Sequence, residues 1–198
     1  MLVFSFDIGL DRAMKRFKDK DVEVKTYPIP LLDTVRPKPY ALKFWNSFYS
    51  DYKEASESGK YATIVIDTGT AVYELARHAY AEELGTKNLL PFQYGDVYAR
   101  LSSIIMSPRT TGHNLVITHH LKDRYVNDVA TGELEIDGYK RTEGLVDVVL
   151  LTNVRQVKGK TPAVVTTIDK CGLDITLNGT EIENLDYEQL VAVLGLES

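Results

Sequence analysis

The chain has 198 residues, 44% of them hydrophobic and 26% charged, with a formal net charge of −5. That length supports a substantial core, and residues 1–198 read as a single domain. The longest apolar runs fall far short of a bilayer span, and no positively charged start leads into a signal-like stretch, so the expected setting is cytoplasmic, away from membrane. A single cysteine, Cys171, excludes an internal disulfide framework, and one Cys with four scattered His residues matches no zinc spacing. The acidic balance argues against a generally basic nucleic-acid surface while leaving room for a local basic patch on a loop.

Taken in order, Leu2–Asp7 reads as a buried strand, followed by a short helix ending near Phe17. Pro28, Pro30, Pro37 and Pro39 then impose extended or turning backbone. From Ala41 to Ser58, Leu42, Trp45, Phe48, Tyr49 and Tyr52 recur at helical spacing, with Gly59 as a stop. Residues 61–67 form an apolar strand ending on Asp67, and Val72, Leu75, Ala76 and Ala79 mark the next helix, with Gly85 beyond it. Val97, Leu101, Ile104 and Ile105 mark a third helix closed by Pro108 and Gly112. A strand over 114–118 leads into His119 and His120. The polar stretch 124–144 contains Asp137-Gly138, a strong hairpin signal. Two further strands follow at 146–151 and 163–168, and Asp186 with Gln189 has the spacing of a capping box before a last helix.

Apolar strands separated by helical crossovers predict an α/β fold with a parallel sheet covered on both faces. In such sheets ligands bind beyond the carboxyl ends of the strands. Asp7, Asp67 and the pair His119/His120 all lie at predicted strand ends. An acid in the position of Asp67 can orient a Mg²⁺-bound water shell, or it can merely cap the following helix. Asp7 can polarise a water as general base or serve as a turn residue. Either histidine can sense a phosphate or be satisfied locally. In 122–144, Lys122, Arg124, Lys140 and Arg141 interleave with Tyr125 and Tyr139, a composition able to track single-stranded DNA. Asp123, Asp128, Glu133, Glu135, Asp137 and Glu143 cancel that charge, which favours a solvated hairpin.

The blocks "LVFSFDIGLDRA", "YATIVIDTGTAVYELARHAYAEE", "YGDVYARLSSIIMSPRTTGHNLVITHHLKD", "GYKRTEGLVDVVLL" and "KCGLDITLNGTEIENLDYEQLVAVLG" resemble successive segments of the RecA-like ATPases encoded by bacteriophages. The resemblance implies a RecA-like three-layer sandwich with a mainly parallel central sheet. It also implies ATP and Mg²⁺ as cofactors, action in DNA recombination, repair or single-strand annealing, and assembly as a homo-oligomer or within a multi-chain complex. By position it implies Asp67 as the Walker B acid, Asp7 as the catalytic acid of its strand, His120 as the polar sensor, and Lys140 and Arg141 as basic fingers toward a neighbour's nucleotide.

The sequence departs from that family at one place. A phosphate-cradling G-x-x-x-x-G-K-[ST] does not occur, and Gly159-Lys160-Thr161 is followed by Pro162 and a strand, as in a turn. Met1 stands where the family's second core strand begins, so the N-terminal P-loop strand and helix are missing from the expected sandwich. This leaves two expectations: an ATPase whose P-loop lies upstream, or a nucleotide-free RecA-like subunit serving as a structural or assembly module. The second would make contacts through the exposed first-strand edge and the Tyr/Trp-rich helix 41–58.

Overall fold

Strand β1 (Leu2–Ser5) runs beside β2 (Glu23–Thr26) on one side and β3 (Thr63–Asp67) on the other, and β4 (Asn114–Ile117) lies outside β3. The computed structural model describes residues 1–6, 10, 15, 21–27, 40–156 and 161–196. They fall into two compact units, Met1–Thr142 and Glu143–Ser198.

All three pairings of the four-stranded sheet are parallel, with Phe4 level with Ile66 and Ile66 level with Ile117. Because side chains alternate along a strand, Leu2, Phe4, Ile64, Ile66, Leu115 and Ile117 share one face. Helices α1 (Ala41–Glu57), α2 (Gly69–Glu83) and α3 (Tyr94–Met106) pack over that face. The predicted stripe of α1 is the reason: Phe48 stands edge-on to Phe4 at 5.5 Å and to Phe6 at 5.0 Å. Tyr52 packs on Phe4 and donates its hydroxyl to the Ile104 carbonyl at 3.0 Å, tying α1 to α3. Ile66 and Ile117 line one small cavity together with Val72, Leu101, Ile104 and Ile105. The first turn of α1 is capped by another helix, since Glu82 on α2 accepts from the backbone N–H groups of Tyr40, Ala41 and Leu42 at 2.9, 3.0 and 2.7 Å.

On the opposite face Val3 and Ser5 of β1 are buried, whereas Val116 of β4 is 49% exposed. The outward N–H and C=O groups of Leu115 and Ile117 make no hydrogen bond among the described residues, so β4 is an open edge. Cover on both faces, expected from the apolar strands, does not extend to β4 among these residues.

Residues 121–136 form a hairpin of β5 (Leu121–Val126) and β6 (Val129–Ile136). Its turn is Asn127-Asp128, both at positive φ (+50° and +62°), which matches the twist of a two-residue primed turn. The Asp137-Gly138 pair is therefore not the hairpin turn. It lies beyond β6, where the Asp137 N–H donates to the His120 carbonyl at 2.8 Å as the chain leaves the hairpin.

In the second unit, β7 (Val148–Arg155), β8 (Ala163–Cys171) and β9 (Glu181–Glu183) form an antiparallel sheet in that order. The two further strands expected at 146–151 and 163–168 are thus β7 and β8, which pair with each other. The capping box before α4 (Tyr187–Val193) is present, with Asp186 accepting from the Gln189 N–H and Gln189 accepting in return. The short helix expected before Phe17, the Pro-rich stretch 28–39 and most of the Gly159-Lys160-Thr161 turn lie outside the described residues.

Candidate functional site at the carboxyl ends of β3 and β4

Asp67 closes β3, and helix α2 begins two residues later. The cap of α2 is Thr68, whose Oγ1 accepts from the Ala71 N–H at 3.2 Å. Asp67 is therefore free of the capping duty that strand-end aspartates commonly perform. Its carboxylate accepts instead from Thr118 Oγ1 at 2.6 Å, while the Asp67 carbonyl accepts from the Phe6 N–H at 2.6 Å. The Asp67–Thr68 peptide is cis. The Gly69 N–H donates to the Thr118 carbonyl at 2.8 Å, so the first turn of α2 is stitched to the end of β4 as well.

The two histidines take opposite roles. His120, the expected sensor, is exposed, and its backbone N–H donates to Thr70 Oγ1 at 3.0 Å. His119 turns inward. A Cβ on Gly69 would come within 2.5 Å of its Cε1, so only glycine lets α2 approach this closely. Both His119 ring nitrogens are sealed from solvent without a hydrogen-bond partner. Burial, with a smaller contribution from His120, pushes its pKa down to about 4, so the ring is neutral near pH 7.

Lys140 pairs with Glu135 at 2.6 Å, and Arg141 lies over the Tyr98 ring at 5.6 Å. Neither contacts Asp67. Lys122 and Arg124 are likewise paired, with Asp137 at 2.9 Å and Glu133 at 2.6 Å. Asp7 lies outside the described residues. Asp67, Thr118, Thr68, Gly69 and His119 are thus brought together; of these the sequence marks Asp67 and His119 as candidate site residues and Thr68-Gly69 as the opening of the helix. Thr118 carries no local signal, because its role rests on a partner 51 positions away.

Among the described residues no three His, Cys, Asp or Glu side chains converge to hold a metal by themselves. No helix among these residues is long and apolar enough to cross a membrane.

No protein-family model matches the chain, and no curated protein matches it. Among solved structures it is similar to a KaiC-like protein from the hyperthermophilic archaeon Pyrococcus horikoshii OT3. The TM-score is 0.50 at 12% identity, over 92% of this chain and 69% of the other. At that identity the likeness concerns the fold alone. The chain has an α/β fold with a parallel four-stranded central sheet flanked by helices, matching the RecA-like fold.

Proposed function

We propose that this chain is a RecA-like, ATPase-type protein that handles Mg²⁺-nucleotide at the carboxyl ends of β3 and β4. The observation that carries this reading is Asp67, a strand-end carboxylate that Thr68 relieves of helix capping and Thr118 orients. Asp67 would hold the Mg²⁺ water shell, and the metal supplies charge neutralisation to nucleotide phosphates. His120 would meet the phosphate from the end of β4, and Asp7 would polarise the water. Lys140 and Arg141 would serve a neighbouring copy's nucleotide only after giving up their present partners. The resemblance of the sequence blocks to phage RecA-like proteins supports DNA recombination, repair or annealing as the setting.

These residues contain no phosphate-cradling glycine loop, so the cradle would come from polypeptide pairing with the open edge of β4. The test is equilibrium binding of a fluorescent ATP analogue with and without Mg²⁺, on the chain alone and on a form carrying its upstream coding sequence. Mg²⁺-dependent binding that Asp67→Ala abolishes supports the reading. Absence of binding in both forms overturns it.

A second reading, a nucleotide-free assembly module, is favoured by the same open β4 edge together with exposed Val116. An ordered, stoichiometric multi-chain particle without nucleotide would support it, and a partnerless monomer would count against it.

A further inference from the structure

Helices α1 and α3 border a cleft of about 370 Å³, lined by none of the strand-end residues. One wall is an α1 stripe at helical spacing, Leu42, Trp45, Asn46 and Tyr49, and the other carries Arg100 of α3 beside Glu83 from the end of α2. Trp45 is the one tryptophan in the chain and is only 3% exposed. Its indole stacks on Tyr49 at 5.9 Å and 15° and meets Phe48 edge-on at 6.0 Å. Its N–H has no partner among the described residues and is not sealed from solvent, although a buried indole N–H usually finds an acceptor. Arg100 is held in place by Glu83 through one terminal nitrogen at 2.5 Å and by the Tyr80 ring at 4.9 Å. The remaining guanidinium N–H groups have no partner among the described residues.

We infer that this cleft binds a small aromatic carboxylate, either as a free acid or as the C-terminal residue of a peptide. Its ring lies against Trp45, Tyr49 and Leu42, and its carboxylate accepts from Arg100 and the indole N–H. The chemistry follows from the lining. Arg100 and Glu83 cancel in net charge, so specificity comes from hydrogen bonding, and the uncommitted groups are mainly donors. Because Glu83 and Tyr80 already fix Arg100, little ordering is needed on binding. The volume lies within the usual range for small-molecule sites. This inference is independent of the strand-end reading and uses none of its residues.

Trp45 reports on the cleft directly through intrinsic fluorescence. Titration with N-acetyl-L-phenylalanine should give a saturable change, and N-acetyl-L-phenylalaninamide should bind at least tenfold more weakly. Arg100→Gln, checked for folding by circular dichroism, should weaken binding about tenfold, the loss expected for a charge-assisted hydrogen bond. Tyr49→Ala should weaken it as well while leaving the Arg100–Glu83 pair in place. A peptide Ala-Ala-Ala-Phe binding as tightly as the free acid assigns the cleft to chain termini, and its exclusion assigns the cleft to free acids. No saturable response to either ligand, an equal response to the amide, or an unchanged affinity in folded Arg100→Gln overturns the proposal.

Discussion

Thr118 Oγ1 donates a 2.6 Å hydrogen bond to Asp67 Oδ1 and so ties the carboxyl ends of two adjacent parallel strands at their side chains. The bond is solvent-accessible, and its net contribution to folding is on the order of 1 kcal/mol or less. Its larger effect is to fix the direction of the carboxylate. On the Mg²⁺-nucleotide reading, Thr118→Val should lower the Mg²⁺-dependent part of ATP-analogue affinity several-fold while shifting the melting temperature by only a few degrees. Isothermal titration and a thermal melt of the same sample separate the two effects. A large stability loss with unaltered metal dependence would sink this role.

Gly69 and His119 occupy space that two ordinary side chains could not share. Gly69→Ala places a methyl 2.5 Å from His119 Cε1 and 2.6 Å from Ile117 Cγ2, and it should destabilise the fold by roughly 1–3 kcal/mol. His119→Ala in the same chain should recover part of that loss, because one of the two clashes disappears. A urea-denaturation double-mutant cycle measures the coupling, and strict additivity would show that the close approach is not the cause.

His119 also predicts a pH dependence. Its folded pKa, near 4, lies below the ordinary value of 6.5, so the unfolded chain binds more protons between those limits. The stabilisation from keeping the ring neutral is complete above about pH 6.5 and is lost as the pH falls toward 4. From pH 7 to pH 5 this one group should remove roughly 2 kcal/mol of stability. His119→Leu should flatten that part of the profile, as followed by chemical denaturation at each pH.

Phe48 sits at 0% exposure against Phe4, Phe6, Tyr27, Trp45 and Tyr52. Phe48→Ala should cost roughly 3–5 kcal/mol, enough to unfold a marginal domain at room temperature. Phe48→Leu should cost markedly less. Equal losses for the two variants would mean that the aromatic cluster relaxes freely.

The hairpin turn offers a stabilising change. Asp128 holds φ +62°, a region that glycine adopts without penalty, and Asn-Gly is the preferred pair for such a turn. Asp128→Gly should slow amide exchange along β5 and β6, for a gain of some tenths of a kcal/mol to about 1 kcal/mol. Unchanged protection would show that the turn does not limit the hairpin's local opening.

Most of the helices and strands could be read from the sequence, because their signals are local. The stripe of α1, the apolar run of β3 and the Asp186/Gln189 capping box each repeat within one or two turns of backbone. The hairpin turn was misplaced, since Asp137-Gly138 carries the stronger dipeptide signal while the pairing of Val126 with Val129 selects Asn127-Asp128. The direction of the last strands is not written locally either. Strand direction is set by the partner, and β7 and β8 found each other.

The sequence alone determined where chain periodicity changes from two to 3.6, that Asp67 stands at a strand end, and that no glycine-rich phosphate loop is present. Only the tertiary structure decided that Thr68 rather than Asp67 caps α2, that His119 rather than His120 turns inward, and that β4 has no strand partner beyond β3 among the described residues. It also closed Lys122, Arg124 and Lys140 into ion pairs. The physical reason is distance along the chain. Thr118 meets Asp67 across 51 residues and Glu82 caps Tyr40 across 42, and contacts of that span leave no mark on local residue patterns.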